Sequence, residues 1–432
     1  MSDFEPDFDA IIVGGGCAGS VAAYTLASAG KAVLVVERGN YAGAKNMTGG
    51  RIYAHSLAKV FPDYQDAPLQ RKITHERISL MSPDSNFTID YASRDLEAEG
   101  NESYSVLRGP FDQWLAEKAE DAGAEYICGI AVEDLLIKDG KVIGINAGGD
   151  ELTANVVILA DGVNSLLTNK AGLSKKAPAI HQVAVGAKET IELPAEVIES
   201  RFLCNPGEGA SWLFAGDVSN GIIGGAFIYA NTDSVSVGIV ATMSEVLKQD
   251  IPVYQMLENF KNRPEIAPLI RDGKTVEYSG HVVPEGGIKM MPEIIGDGVL
   301  VAGDAAMMCM NLGYTVRGMD LAVASGEIAA KAAIKAIDAG DTSKAGLACY
   351  KTMLDSSFIM RDLKMYEDAP EFLEECPRMF RGYPEMIRDI MNPLFITNGE
   401  PRKHVMKMAM PAVKKAGIMK LAKDALKGVK AL

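Results

Sequence analysis

A few glycines and two carboxylates carry most of the chemistry this sequence can do. Gly14, Gly16 and Gly19 form a G-x-G-x-x-G array. In that spacing the first glycine makes a tight turn. The second lets the backbone approach a pyrophosphate, and the third lets a helix lie close on a strand. The helix N-terminus then offers free N–H groups and a positive dipole end to two phosphates. Glu37 follows the last glycine by 18 residues, where a carboxylate can accept from ribose hydroxyls. Asp304 stands in Gly303-Asp304-Ala305-Ala306. At a strand end its carboxylate can hold a polyol hydroxyl.

The elements around these residues position them. Residues 8–13 are an apolar, branched run that reads as a buried parallel strand. Residues 20–29 have a helical pattern stopped by Gly30, and 32–36 read as a second strand ending at Glu37. Glycine array, helix, second strand and acid together make a dinucleotide site. Its place near residue 10 favours FAD over NAD. Residues 299–302 are another buried strand, with Gly303-Asp304 as its turn. Gly313 lies in the following loop, and Gly318 opens a long helix to about residue 339. That helix N-terminus, aimed at a flavin, would stabilise negative charge on the reduced ring. Residues 38–51 hold Gly43, Gly49, Gly50, Lys45 and Arg51. They read as a mobile cationic loop closing over cofactor phosphate or ring.

Composition narrows the classes. The chain has 432 residues and a net charge of −14, which argues against nucleic-acid binding. Its six cysteines show no CxxC or other metal-ligand spacing, so no iron–sulfur or zinc site is expected. The five histidines have no ligand spacing and read as structural or exposed. Cys17 reads as a small packing residue, not a redox thiol. Met307, Met308 and Met310 fit a quinone pocket and core packing equally. The acidic N-terminus is not expected to be a signal peptide, and no run approaches the roughly 20 apolar residues that span a bilayer.

The remaining chain reads as follows. Residues 77–82 and 86–91 form a hairpin, 111–122 a helix, 124–132 a strand and 134–147 a second hairpin. Residues 154–160 form a buried strand ending in Asp161-Gly162. From 181 to 243 alternating strands suggest an inserted antiparallel sheet. Residues 275–283 return toward the first domain. Helices at 343–354, 360–375 and 384–391 follow. From 401 onward nine Lys or Arg face one acid, net +8, while the preceding 400 residues sum to −22. Within 417–432, Ile418, Leu421, Ala422, Ala425, Leu426, Val429 and Leu432 share a helical face with lysines away from it.

GxGxxG, Ala160-Asp161-Gly162 and VAGDAA (301–306) resemble the glutathione-reductase-2 type of FAD-binding fold. GAKNMTGGR (43–51), YSVLRGPFDQWL (104–115), GDAAMMCMNLGYTVRGMDLA (303–322) and HVVPEGG (281–287) are similar to the FixC branch of the electron-transfer-flavoprotein:quinone oxidoreductase family. The likeness covers nearly the whole chain. It implies an α/β fold: a Rossmann-like FAD-binding domain, an inserted antiparallel-sheet domain and a helical C-terminal region. The expected division is 1–75 with 100–175 and 275–345 for FAD, and 76–99 with 176–274 for substrate or quinone. Residues 346–400 are helical and 401–432 a basic amphipathic tail.

The resemblance also implies site residues. Gly14, Gly16, Gly19, Glu37 and Arg38 match the adenosine-diphosphate site. Arg108 matches an FAD-contacting arginine, Val132 a backbone contact to adenine, and Asp304 the ribityl aspartate. Gly313 to Gly318 match the segment at the isoalloxazine ring. No catalytic acid–base residue or metal is implied. The longer relatives carry a ferredoxin-like domain with an iron–sulfur cluster; here a separate ferredoxin-like subunit would supply it. The implied role is electron transfer from an electron-transfer-flavoprotein-like heterodimer through FAD to quinone. The protein would be cytoplasmic and peripheral on the inner face of the cell membrane, bound through the tail. The competing reading is an FAD-dependent reductase or hydroxylase acting directly on a small or prenylated substrate. A second departure bears on it, since ADGVNSLLTNK lacks the arginine that usually follows the DG motif of hydroxylases.

Overall fold

Ala10–Val13 and Val33–Val36 are unbroken apolar runs rich in branched residues, and burial on both faces follows. In the computed structural model, which describes residues 5–46, 50–174 and 178–432, these strands lie at the centre of one sheet. Its order is Ile295–Gly296, Val299–Val301, Asp150–Leu159, Phe8–Val13, Val33–Glu37, Glu125–Cys128. Along this path all neighbours are parallel except the first pair, and Lys141–Ala147 with Val132–Lys138 joins Asp150–Leu159 off it, antiparallel. The parallel strands therefore end at one edge, where Gly14, Glu37, Asp161 and Asp304 follow or close them. In open α/β sheets that edge is where ligands bind.

Two helices cover this sheet, Cys17–Ser28 and Met319–Asp338. They approach through small residues. A Cβ on Gly326 would lie 2.2 Å from the Ala18 carbonyl oxygen, and one on Gly303 would lie 2.9 Å from the Ala18 Cβ. Helix, helix and strand turn thus meet at Ala18.

The second sheet runs Lys274–Pro284, Val183–Glu192, Ser234–Thr242, Gly224–Ala230, Glu208–Gly216, Leu69–Ser82, Ser103–Val106, Arg51–Tyr53, with Ser85–Ala92 on Leu69–Ser82. Its pairs are antiparallel apart from Glu208–Gly216 with Leu69–Ser82. One face packs under the helix Val253–Lys261 through Val253, Met256, Leu257 and Phe260.

Several expectations change. The hairpin strand at 77–82 is the end of one 14-residue strand, Leu69–Ser82. Residues 51–53, 69–75, 103–106 and 275–284, grouped with the FAD domain in the expected division, pair in the second sheet. Residues 124–132 are not one strand, because Gly129 turns at φ +82 between Glu125–Cys128 and Val132–Lys138. The helix expected at 360–375 is broken into Phe358–Met365 and Ala369–Glu375, with Pro370 inside the first turn of the second. The helix expected at 343–354 starts only at Cys349, after a 3-10 turn at 346–348, and runs to Ser356.

The basic tail is two helices, Val405–Ala416 and Ile418–Ala431. Its expected apolar stripe divides between two environments. Asp424, the tail's one acid, is buried and takes two hydrogen bonds from Arg378, at 2.7 and 2.5 Å, and one from the Tyr383 hydroxyl. Gly428 lies against Phe372 and Ala431 is buried. That clasp turns Leu426 and Val429 outward, 67% and 83% exposed, together with Met419 at 87%.

Two outcomes follow from this packing. Gly326→Ala should cost about 1–3 kcal/mol in urea unfolding, because the methyl has only backbone to push against. Arg378's hydrogen bonds, ahead of Tyr383's, hold the Asp424 carboxyl down at about 2. A depressed carboxyl contributes fully above its unfolded value, so amide exchange across 418–431 should not vary with the clasp between about pH 5 and 8. Asp424→Asn should raise that exchange at neutral pH.

Candidate functional site

The glycines of the first turn are not equivalent. Gly14 has φ +102, and a Cβ there would lie 2.4 Å from the Ala160 carbonyl oxygen. A Cβ on Gly19 would lie 1.8 Å from the Gly14 carbonyl oxygen. The fold itself demands glycine at both. Gly16 has an ordinary extended backbone, φ −83 and ψ −171. Among the described residues a Cβ there would meet only Asn46 Nδ2 at 3.5 Å and Arg108 Nη2 at 3.9 Å. Glycine at 16 keeps open a space bordered by an amide and a guanidinium. Gly16 also caps the Cys17–Ser28 helix, which has no side-chain cap. The arrangement suits a phosphate.

Glu37 is buried and braces the turn. One carboxylate oxygen accepts from the Gly15 N–H at 2.8 Å, the other from the Gly39 N–H at 2.6 Å. Each oxygen keeps a second lone pair for a ribose hydroxyl. Arg38 beside it is exposed. The chain 129–130 runs along this strand end, with Gly129 N–H to Gly39 O at 2.7 Å and Ile130 N–H to Glu37 O at 3.2 Å. That contact delivers Val132, half-buried, to the same end.

Arg108 opens the helix Arg108–Asp121 and turns back over Gly16. Its guanidinium donates to Asp112 through Nε at 3.0 Å and Nη2 at 2.8 Å. The sequence reading missed Asp112, although its i+4 spacing from Arg108 on one helix signals such a pair. Asp112 also receives Asn46 Nδ2 and the Cys17 thiol, the latter at 3.5 Å. Burial, ahead of any charge, pushes the Cys17 thiol well up, so it is an inert packing group. Asp304 follows the strand Val299–Val301, and burial pushes its carboxyl up while Arg108 opposes. Asp161, in the DG turn, is pushed up to about 6, by burial first, against backbone and Ser165 hydrogen bonds and Arg38. Gly14, Gly16, Gly19, Glu37, Arg108 and Asp304 thus gather at one sheet edge.

Gly313 lies in the turn of a two-stranded hairpin, Met310–Asn311 with Val316–Arg317, at φ +80. Gly318 has extended φ −159 and caps Met319–Asp338 without a side-chain cap. A network unseen in the sequence fixes this segment. Arg317 donates to Asp320 Oδ2 at 2.9 and 2.5 Å and to Asp362 Oδ2 at 2.6 Å. His55 Nε2 lies 3.2 Å from the same Asp320 oxygen. Burial opposes ionisation of Asp320, but His55 and Arg317 outweigh it and hold its carboxyl below the usual range. Asp320 Oδ1 is buried without a hydrogen-bond partner among the described residues. Nothing in the spacing of residues 55, 317 and 320 announces this meeting.

The expected cationic loop also differs. Arg51 is a strand residue of the second sheet, ion-paired with Glu76 and bonded to Ser103 Oγ at 3.1 and 2.9 Å. Lys45 is exposed, and residues 47–49 lie outside the described residues. Met307, Met308 and Met310 are all buried. Tyr314 is 45% exposed.

These residues fit FAD: an open cradle at Gly16, a braced acid at Glu37, and a half-buried carboxyl at Asp304. Comparison with known proteins agrees. Residues 9–104 match a family described as FAD dependent oxidoreductase, and residues 369–432 match the ETF-QO/FixC family C-terminal domain. The chain is 52% identical to protein FixC of Salmonella typhi over 429 residues, 99% of this chain and 100% of that one. FixC of Escherichia coli K12 is similar to the same extent, 52%. It is 49% identical over 433 residues, all of both chains, to E. coli YdiS, named "Probable electron transfer flavoprotein-quinone oxidoreductase". Among solved structures, a geranylgeranyl bacteriochlorophyll reductase-like protein of Thermoplasma acidophilum superposes with TM-score 0.71 at 20% identity, covering 96% of this chain and 99% of that one. A flavin-dependent brominase, Bmp2, carrying three substitutions reaches 0.64 at 17%, covering 97% and 99%. At these identities the likeness is one of fold.

Two variants separate ligand from fold. Gly16→Ala should leave the unfolding midpoint of apoprotein unchanged and weaken FAD about tenfold or more, roughly 1.4 kcal/mol. Asp304→Ala should weaken FAD by about 1–3 kcal/mol through a lost buried hydrogen bond. Fluorescence titration of apoprotein with FAD measures both.

Proposed function

The chain belongs to the ETF-QO/FixC family of FAD-dependent oxidoreductases, and from that membership we propose its donor and acceptor. Electrons come from an electron-transfer-flavoprotein-like heterodimer acting with a separate ferredoxin-like iron–sulfur subunit. They leave to quinone at a membrane surface. The observation that carries this reading is likeness along the full length to a protein named for electron transfer flavoprotein and quinone. The match to the family's C-terminal domain over 369–432 adds to it.

The protein's part is to bind, orient and tune. Bound FAD supplies the redox chemistry. The cradle at Gly14, Gly16 and Gly19 holds its pyrophosphate, Glu37 and Val132 its adenosine end, and Asp304 its ribityl chain. The uncapped N-terminus of Met319–Asp338 favours negative charge placed before it. Arg317, locked between Asp320 and Asp362, fixes the hairpin that carries Gly313.

The tail supports a contact with lipid. Among the described residues no helix is long and apolar enough to cross a membrane. The helix Ile418–Ala431 instead turns Met419, Leu426 and Val429 outward, with Lys420, Lys423 and Lys430 exposed as well. A helix of that kind lies in the interface plane. Anionic lipid would attract each lysine by about 1 kcal/mol near the surface, less at high salt.

Two experiments test the proposal. In stopped-flow mixing, NADH or NADPH alone should leave the flavin oxidised, and a reduced flavoprotein heterodimer with its ferredoxin-like partner should reduce it. Rapid reduction by NAD(P)H would instead favour a direct reductase or hydroxylase. For the tail, Leu426→Glu with Val429→Glu should abolish co-sedimentation with anionic vesicles. Equal sedimentation of variant and wild type would remove the tail as anchor.

A further inference from the structure

The last helix of the tail does not close fully onto the body. A groove of about 520 Å3 lies between Ile418–Ala431 and the segment 372–383. Phe372, Met379 and Tyr383 line it from the body, and Leu421, Val429 and Leu432 from the tail. Between them the helix presents only Ala425, Gly428 and the clasped Asp424. That volume lies within the range of small-molecule sites, roughly 300–1,000 Å3.

The chemistry of the walls selects the occupant. Tyr383 and Asp424 are the groove's polar side chains, and the clasp engages both. The Tyr383 hydroxyl donates to Asp424 Oδ2, and Arg378 donates to both carboxylate oxygens. The hydroxyl proton and the carboxylate charge are thus already matched, and the remaining walls favour an apolar guest. The opening selects its source. Ala425 and Val429 both line the groove and are both exposed. Four positions apart, they share one helix face. Beyond them the surface continues into exposed Ile418, Met419 and Leu426. Lys420, Lys423 and Lys430 are exposed on the same helix. An apolar slot that opens onto an apolar, cation-edged surface matches a hydrocarbon chain with an anionic headgroup. The chain of a neutral quinone would leave the lysines unused.

We propose that this groove takes one acyl chain of an anionic phospholipid. The chain lies against Phe372, Met379 and Leu421, and the headgroup stays outside, within the field of the tail lysines. The Arg378–Asp424–Tyr383 clasp then has a second role, as the polar pillar that spaces helix from body and keeps the groove open. This deepens the lipid contact proposed above for the tail and rests on that reading for the source of the chain. It adds that the tail holds an individual lipid as well as lying on a charged surface.

Ala425→Trp tests the assignment, since the indole fills the groove while Met419, Leu426, Val429 and every lysine stay in place. Ala425→Phe serves as a second variant if tryptophan does not fold. FAD-loaded full-length protein is titrated calorimetrically with lysophosphatidylglycerol below its micelle concentration. The expected result is saturable binding of one lipid per chain, weakened about tenfold or more in the variant. Lysophosphatidylcholine, with the same chain and no net charge, should bind wild type more weakly. Absence of saturable binding, or equal affinity in wild type and variant, overturns the proposal. Equal binding of the two lysolipids overturns the anionic assignment. Displacement of bound lysolipid by a decyl-substituted benzoquinone would overturn it in favour of a quinone chain. Ala425→Trp should still sediment with anionic vesicles, which separates the groove from the tail's adsorption. Failure of wild type to sediment would remove the tail contact and leave saturable lysolipid binding standing.

Discussion

The site depends on one close contact, the packing of three backbone segments around Ala18. Its carbonyl oxygen lies where a Cβ of Gly326 would be, and its methyl nearly touches the space a Cβ of Gly303 would fill. The glycine turn ahead of Ala18 and the Gly303-Asp304 turn therefore have no freedom relative to each other. A carboxylate near the middle of a cofactor and an N–H array at its phosphates are useful only at a fixed separation. Small residues set that separation by letting backbones touch. No hydrogen bond between the two turns is required for it.

Electrostatics then decides what can enter. Arg108 is the hub, close to Gly16, bonded to Asp112, and felt by Asp304, Lys188 and His281. Pairing with Asp112 fixes the guanidinium plane without any ligand, so the arginine is already in place when an anion arrives. Asp112 itself is anchored by Asn46 and Cys17. Preorganisation here is a chain of local bonds, and the buried Cys17 thiol takes part in it as a donor only.

The features legible in the sequence are those whose reasons are local. The strand, glycine turn, helix and second strand are set by neighbours within about one helical turn, so Gly14, Gly16, Gly19 and Glu37 could be placed. Asp304 follows from a buried strand and its turn. Asp112 was readable from helical spacing and was passed over. What lay beyond reach depends on register between distant strands. Whether Lys188 faces the core under Val253–Lys261 or the opposite side of the sheet is fixed by pairing with Ser279, 91 positions on, and a one-residue slip would reverse it. The His55–Asp320 contact spans 265 positions. Arg51 looked like a loop cation because glycines precede it, yet its pairing partner Ser105 makes it part of a sheet. That 69–75 and 275–284 pair in the second sheet is hidden for the same reason, since a strand pattern does not name its partner.

The tail shows how one acid can set the orientation of an otherwise symmetric helix. Its apolar residues span a wide arc, so hydrophobicity alone leaves open which part faces the body. Asp424 removes that freedom. With Arg378 and Tyr383 as partners inside a shallow apolar groove lined by Phe372, Met379 and Leu421, only one rotation satisfies the carboxylate. Gly428 and Ala431 then lie one and two turns beyond it on the body side, and their lack of bulk lets the helix settle against Phe372. The larger apolar residues, Met419, Leu426 and Val429, are left on the far side. Leu421 and Leu432 stay on the body side, while the clasp leaves an apolar, lysine-flanked surface of Met419, Leu426 and Val429 available to whatever the tail meets.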